Sequence, residues 1–356
     1  MRRLLIALGL LTLAAVLGVG FVLFQLTVLN PPVVDPTYPE RQRIRRYRET
    51  VQAAPLETYP SFAAGRARVY RAAGPGRTVL LLPDSGTGAW LYVNYLATLG
   101  SAFNLNAVSL RGMHGAAPAT TATFGDYLQD ARDALAAVTR QAPGNKAVIV
   151  GNGLGSLLAL RLANEQPAAT EALVLLAPYI PRERTPDQQW LADFFGDRIY
   201  DGVFSSPEAT AKFWKGNFPN GIRQTGLARA AWESYASRKQ PYEYRPVVDE
   251  IILGRISWLD EHYRKLEEAS FPVMTVGGRY DTVNPEASQL RVTERLQDLL
   301  GERYAFSILN SGQLIPLDWK WKESVNALTD FLLDLRLDVP ILEEQEQLEP
   351  GLESTN

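Results

Sequence analysis

The pattern of apolar and polar positions divides the chain into an N-terminal apolar segment, a polar linker and a long alternating region. Residues 4–29 are almost uninterrupted apolar sequence behind a short flank, residues 1–3. Residues 30–64 are rich in proline and arginine, and residues 337–356 are acidic. Between them, short apolar runs alternate with helical stretches, a pattern that favours α/β architecture with a mostly parallel sheet.

Several short apolar runs in the alternating region predict buried strands. The clearest are residues 78–82, 105–110, 148–150 and 172–177. Before the third run, residues 124–141 predict a helix, because apolar positions recur at helical spacing. The face formed in this way carries Tyr127, Ala131, Leu135 and Val138.

The run at 148–150 continues into a glycine-rich turn and then a helix. The turn consists of Gly151, Asn152, Gly153, Leu154 and Gly155. It resembles the nucleophile elbow of the α/β-hydrolases, a G-x-S-x-G turn that lifts a catalytic side chain between strand and helix. Gly151 and Gly155 match the residues that let strand and helix pack closely, but Gly153 stands where the nucleophile should be.

Four further segments resemble the same family in the expected order. Residues 78–90 are similar to the strand and oxyanion-hole loop, with Pro83 and Asp84 in place of the usual His-Gly. Residues 105–112 are similar to the strand that ends in Asp-x-Arg-Gly. Residues 272–281 and 304–317 resemble the segments that carry the triad acid and histidine. The resemblance covers 65–335 and implies a doubly wound α/β-hydrolase core (65–178 and 261–336) with a helical cap insert (179–260).

Carried over position by position, the triad becomes Gly153, Asp281 and Gln313. Gly153 has no atom that can attack a substrate, and a glutamine amide does not titrate near neutral pH as a catalytic histidine does. Asp281 remains, although the family's acid serves to orient a histidine. Pro83 offers no N–H, and the carboxylate of Asp84 would oppose a developing oxyanion. The resemblance therefore implies vestigial triad positions and lost serine chemistry.

A ligand pocket is expected to remain at these positions. Its predicted lining is Asp84, Ser85, Asn152, Gly153, Leu154, Asp281 and Gln313. Within the insert, many aromatic residues either line a pocket for an apolar or planar ligand or form the core of the cap itself. Either arrangement is compatible with an apolar small molecule or a protein as partner.

Relocated catalysis is the alternative. Ser85 lies in the oxyanion loop, and His114 follows the Arg-Gly turn, where loops of this fold gather near the pocket. A structural histidine is also common at the position of His114 in this family. Ser156 lies on the first turn of the helix, where serine is commonplace, and His262 is expected on a solvated helical surface. Two hypotheses therefore stand: a non-catalytic binding protein, or an atypical serine hydrolase or esterase.

The segment 4–29 exceeds the roughly 20 residues that span a bilayer. It is longer than a cleavable signal and has no convincing cleavage site, so it predicts an uncleaved signal anchor and a single-pass membrane protein. Arg2 and Arg3 argue for an exported globular domain, whereas the arginines of 41–48 argue for the cytoplasmic side. Export is favoured, and the other orientation stays open.

The composition of the chain argues against several classes of function. The net charge of −3 gives no indication of nucleic-acid binding. The chain has no cysteine, which excludes disulfides, thiolate nucleophiles and cysteine-ligated metals. No phosphate-binding glycine loop is present, and the third glycine of the elbow is misplaced for a dinucleotide fingerprint. No metal or cofactor is therefore expected.

Overall fold

The computed structural model describes residues 54–84, 86–119, 122–179, 259–281, 284–318 and 320–335. All of them fall within one compact unit, Ile44–Asn356. The apolar segment 4–29, most of the linker, nearly all of the cap insert, Ser85 and the acidic tail lie outside the described residues. Among the helices that are described, none is long and apolar enough to cross a membrane.

The described residues form one eight-stranded sheet in the order β1-β2-β4-β3-β5-β6-β7-β8. Strands β1 and β2, and β2 and β4, pair antiparallel, and every other neighbouring pair is parallel. The strands are β1 (Ser61–Ala64), β2 (Ala67–Ala73), β3 (Thr78–Leu82), β4 (Asn104–Ser109), β5 (Ala147–Asn152), β6 (Thr170–Leu176), β7 (Val273–Gly278) and β8 (Tyr304–Leu309). This arrangement confirms the prediction of α/β architecture with a mostly parallel sheet.

Helices cover both faces of the sheet. They are α1 (Val93–Leu99), α2 (Phe124–Thr139), α3 (Leu154–Glu165), α4 (Leu259–Lys265), α5 (Glu286–Leu300) and α6 (Trp321–Asp334). Leu80 and Leu82 of β3 pack into the core shared with α2 to α5, whereas Val79 and Leu81 pack towards α1 and α6. Because successive strand residues point to opposite faces, a central strand covered on both sides must be apolar throughout. This requirement explains the uninterrupted apolar runs.

The helix predicted over 124–141 is confirmed as α2, which begins at Phe124 and ends at Thr139. Its start is fixed by Thr123, whose hydroxyl accepts a hydrogen bond from the backbone N–H of Asp126, while the Asp126 carboxylate accepts one from the N–H of Thr123. This reciprocal capping box satisfies donors that the helix itself leaves unpaired. The four apolar residues predicted for one face are all buried.

Two boundaries differ from those predicted. Strand β1 lies inside the range 30–64 that was assigned to the linker, because it pairs antiparallel with β2 across a turn at Gly65. Four small and aromatic residues do not make a readable strand pattern on their own. Helix α4 is described from Leu259 onwards, inside the predicted cap range, and Leu259 and Tyr263 pack into the core with α3.

Candidate active site

The elbow has the geometry of a nucleophile turn without a nucleophile. Strand β5 ends at Asn152, α3 begins at Leu154, and Gly153 between them has φ 53° and ψ −114°. Residues that carry a Cβ rarely adopt positive φ, whereas glycine does so without a steric penalty. A Cβ on Gly151 would overlap the backbone of Gly155, and one on Gly155 would overlap the carbonyl of Leu82. The predicted close packing of strand against helix is therefore confirmed.

The space above Gly153 is filled by the side chain of Asp84. A Cβ built on Gly153 would come closer than 3.0 Å to the Cγ and both oxygens of the Asp84 carboxylate. Asp84 follows β3 in the loop before α1, and its side chain is completely buried, with 0% exposure. The structure thus places a carboxylate from a different loop where a serine would project from the elbow.

Both carboxylate oxygens of Asp84 accept hydrogen bonds from the elbow and from the loop after β8. Oδ1 accepts from the backbone N–H of Leu154 at 2.8 Å, and Oδ2 accepts from Nε2 of Gln313 at 2.9 Å. The backbone carbonyl of Asp84 accepts from the N–H and the hydroxyl of Thr87 at 3.2 and 2.9 Å. Asp84 is therefore fixed through both its side chain and its backbone.

The bond to Leu154 occupies a donor with a specific role in this fold. In α/β-hydrolases, the N–H of the residue after the nucleophile forms part of the oxyanion hole. Here a negatively charged carboxylate accepts from it, so a developing oxyanion would meet both a used donor and a like charge. Nearby, the pKa of the Tyr92 hydroxyl is raised by burial first, and then by Tyr95 and Asp84.

Gln313 is held on two sides. Its side chain is only 3% exposed, and its backbone carbonyl accepts from Nδ2 of Asn152 at 3.0 Å. The hydroxyl of Tyr179 lies 3.5 Å from Nε2 of Gln313. Sequence reasoning placed Tyr179 at the start of the cap and missed its contact with this site. The available signal was its position just beyond β6, since side chains at the carboxyl ends of parallel strands meet at the same edge.

Asp281 keeps the place of the triad acid in the loop after β7. Its carboxylate is 3% exposed, and Oδ1 accepts from the backbone N–H of Asn284 at 3.0 Å. Nε2 of Gln289 on α5 donates to the carbonyls of Asn284 and Gly278 at 2.5 and 2.9 Å, which secures this loop. Oδ1 of Asp281 is thus held by a backbone amide, whereas the side-chain amide of Gln313 donates to Asp84.

The relocated candidates have other contacts. Nε2 of His114 lies 3.1 Å from Oε1 of Glu57, and its ring packs 5.5 Å from the ring of Trp90. The Ser156 hydroxyl donates to the carbonyl of Gly153 at 2.6 Å, which supports the turn itself. These contacts tie segments of the fold together, and Ser85 lies outside the described residues.

The prediction of a solvated surface position for His262 was wrong. The residue is 8% exposed, and its Nδ1 lies 3.0 Å from Nδ2 of Asn164 on α3. Burial, followed by the charges of Arg161 and Lys265, lowers the pKa of His262. The charged residues around it in sequence suggested a surface helix, but α4 turns this side chain towards α3.

The structure therefore brings together Asp84, Gly153, Leu154 and Gln313, with Asn152 fixing the loop of Gln313. Asp281 stands in its own supported loop. Within the described ranges, no group of three or more His, Cys, Asp or Glu side chains is arranged to hold a metal ion. The site is therefore built around the buried carboxylate of Asp84, which accepts hydrogen bonds from the N-terminus of α3 and from the side-chain amide of Gln313.

Several solved structures share this fold. A bacterial membrane phospholipase A aligns over 94% of this chain and 99% of its own, with a TM-score of 0.60 and 19% identity. A putative lipase from Acinetobacter baumannii aligns over 86% and 98%, with a TM-score of 0.61 and 15% identity. Carboxylesterase CesB from Bacillus subtilis aligns over 83% and 97%, with a TM-score of 0.58 and 15% identity. At these identities the likeness is one of fold.

A similar sequence is the probable esterase PIR7A of Oryza sativa subsp. indica, which is 34% identical over 107 residues. The match covers 30% of this chain and 40% of that relative, so the chain spans two fifths of the curated protein it matches. The Hydrolase_4 family model, described as serine aminopeptidase, S33, matches residues 92–304. Given this match and the eight-stranded sheet, the chain belongs to the Hydrolase_4 family and has the α/β-hydrolase fold.

Proposed function

We propose that this Hydrolase_4 member is a pseudoenzyme that binds a ligand or a partner protein and does not hydrolyse esters by serine acyl transfer. One observation carries the proposal. The carboxylate of Asp84 fills the space where the nucleophile would stand and accepts the hydrogen bond of the oxyanion-hole N–H of Leu154. The site is thus altered in its contacts as well as in its residue types.

Three roles of the family's catalytic site are affected, namely those of the nucleophile, the base and the oxyanion donor. Gly153 supplies no hydroxyl, and its positive φ suits glycine better than a side chain. Gln313 donates from its amide to Asp84 and has no group that takes a proton near neutral pH. The oxyanion donor is already bonded to an anion. Restoring the nucleophile alone would therefore leave the remaining steps without the groups they need.

A second candidate function is ester hydrolysis by residues outside the triad positions. The match to the Hydrolase_4 family and the likeness to a probable esterase favour this candidate more than the first. The contacts around Gly153 favour the first. His114 and Ser85 are the residues that relocated catalysis would use, and Asp281 is the carboxylate that would activate water.

Turnover of p-nitrophenyl acetate, butyrate and octanoate by the full chain tests the proposal. The expected result is a rate equal to that of heat-denatured protein, with no saturation. Saturable turnover that is lost in His114→Gln would support relocated catalysis and contradict the proposal. Ser156→Ala is the matched control, because its hydroxyl supports the Gly153 carbonyl and is expected to carry no chemistry.

We also propose that residues 4–29 anchor the protein in a membrane with the globular domain on the exported side. The chain has no cysteine, so a single Glu302→Cys substitution in the exposed turn after α5 gives a unique label site. A membrane-impermeant maleimide is expected to label this residue in intact spheroplasts. Labelling only after lysis contradicts the orientation, and release of the protein by alkaline carbonate contradicts the anchor.

A further inference from the structure

The donors around Asp84 form a binding site for a carboxylate, and in this structure the occupant is the protein's own side chain. Donors reach both oxygens: the N–H of Leu154 bonds Oδ1, and the amide of Gln313 bonds Oδ2. We infer that this cradle, consisting of Leu154 and Gln313, binds the carboxylate of a carboxylic-acid ligand in exchange with Asp84. The inference rests on the proposed function and specifies the ligand class of that site.

The cradle is preorganised for an anion. Leu154 is the first residue of α3, a twelve-residue helix, so its N–H lies at the positive end of the helix dipole. Gln313 supplies an independent side-chain donor that is almost fully buried, and Asn152 fixes the backbone of Gln313 from the elbow. Donors held in place before binding reduce the ordering cost of the ligand. A carboxylate with one donor on each oxygen fits this arrangement.

Exchange requires the Asp84 side chain to rotate out of the cradle. The backbone of Asp84 is anchored separately, since its carbonyl accepts both hydrogen bonds from Thr87. The loop can therefore keep its conformation while the carboxylate leaves the cradle. The three atoms nearest to a Cβ built on Gly153 all belong to the Asp84 carboxylate, so its departure frees the space directly above the elbow. A ligand carboxylate entering there would make the two bonds that Asp84 gives up.

Asp84 acts in this scheme as an internal competitor. The measured affinity for an acid is reduced by the fraction of molecules in which the cradle is already filled. Removing the competitor must therefore strengthen acid binding, although it weakens the folded protein. A neutral amide of the same shape has no charge to offer the donors, and charge-assisted hydrogen bonds are roughly twice as strong as neutral ones. Acid and amide are thus expected to differ.

Calorimetric titration of acetate and octanoate into the full-length protein tests the inference, with acetamide and octanamide as neutral probes. We expect saturable binding of the acids to the native protein and binding about tenfold tighter to Asp84→Ala, because the competitor is absent. Gln313→Ala in the Asp84→Ala background is expected to weaken acid binding about fivefold through loss of one donor. Asp298→Ala, which removes an exposed charge on α5, is the control for net charge and is expected to leave affinity unchanged.

Asp84→Asn keeps the volume of the side chain and decides the matter if Asp84→Ala does not fold. Its neutral amide is a weaker competitor, so acids are expected to bind it more tightly than the native protein. Equal acid affinity in native and Asp84-substituted proteins overturns the inference, as does equal binding of acid and amide or no acid binding to the native protein. These results leave the proposed function standing, whereas ester turnover by the native protein contradicts the proposed function and is measured separately from acid binding.

Discussion

Oδ1 of Asp84 accepts a hydrogen bond of 2.8 Å from the backbone N–H of Leu154. This contact joins the loop after β3 to the first residue of α3, which are the two segments that build an oxyanion hole in this fold. The segments are therefore assembled as in an enzyme, yet the group held between them is an anion of the protein. The proposed absence of serine hydrolysis and the proposed binding geometry both rest on this contact.

Introducing a side chain at the elbow is expected to destabilise the protein. Gly153→Ala places a Cβ at positive φ, at a cost of about 1–3 kcal/mol, and drives it into the Asp84 carboxylate. Asp84→Gly removes the second effect, so the two substitutions are expected to couple by about 1 kcal/mol in a double-mutant cycle measured by urea unfolding.

Gly125→Ala is the matched control for this cycle. The nearest atom to its added Cβ is the hydroxyl of Thr123 at 3.7 Å, an ordinary contact at an exposed position of α2. The control is expected to be neutral or stabilising by up to about 1 kcal/mol. Additive effects of Gly153→Ala and Asp84→Gly would show that the carboxylate does not fill the space above residue 153.

Removing the amide at position 313 tests its bond to Asp84. Gln313→Ala is expected to lower the free energy of unfolding by about 1.5–3 kcal/mol, the range for hydrogen bonds to buried charged groups. Gln129→Ala removes a bond of the same length, 2.9 Å, between an exposed glutamine and Asp133. This control is expected to change stability by less than about 0.5 kcal/mol. Equal effects at the two positions contradict a buried charge-assisted bond at Gln313.

Replacing Gln313 by a carboxylate should make stability depend on pH. In Gln313→Glu two carboxyl groups face each other, so one of the pair has a pKa raised above its unfolded value. The folded state then binds more protons than the unfolded state, and stability falls as pH rises from about 4 to 7. Chemical unfolding of this variant and the native protein at pH 4.5 and 7.5 measures the effect. A difference between the two proteins that does not grow with pH rules out close contact with Asp84.

His262 gives a separate pH dependence of opposite sign. Its pKa is lowered in the folded state by burial and by Arg161 and Lys265, against the smaller effects of Glu261 and Glu165. Below its unfolded pKa of about 6.5 the unfolded state binds more protons, so stability is lost as pH falls. His262→Asn keeps an acceptor for Asn164 and is expected to reduce the loss between pH 6.5 and 5 in urea midpoints. If His262→Asn loses as much stability as the native protein over this pH range, the pH dependence comes from other groups.

Reconstruction of an enzyme should require three substitutions. Gly153→Ser with Gln313→His restores a nucleophile and a base, but Asp84 still occupies the N–H of Leu154. Adding Asp84→Gly is expected to raise p-nitrophenyl acetate turnover by about 10² over the double variant, the typical effect of an oxyanion donor. A double variant as active as the triple would show that Asp84 does not obstruct the site.

The sequence predicted the absence of a nucleophile, but it did not predict what replaced it. The glycine turn and the retained Asp281 place the fold, because strand, turn and helix are local patterns. Asp84 and Gln313 are 229 residues apart in the chain, and their bond depends on how two loops meet. His262 was misplaced for a similar reason, since its neighbours in sequence are charged while its neighbour in space is α3. Short β1 has too few residues to show a period.

Intact-mass analysis after incubation with a fluorophosphonate probe is the direct test of whether the protein contains an activated serine. The probe reports any activated serine, wherever it lies in the chain, and therefore covers both the elbow and relocated sites such as Ser85. At probe concentrations that leave heat-denatured protein unlabelled, we expect the folded, full-length protein to gain no mass. Addition of one probe group per folded chain, mapped to a single serine and absent when the protein is denatured before incubation, would contradict the proposed lack of serine chemistry.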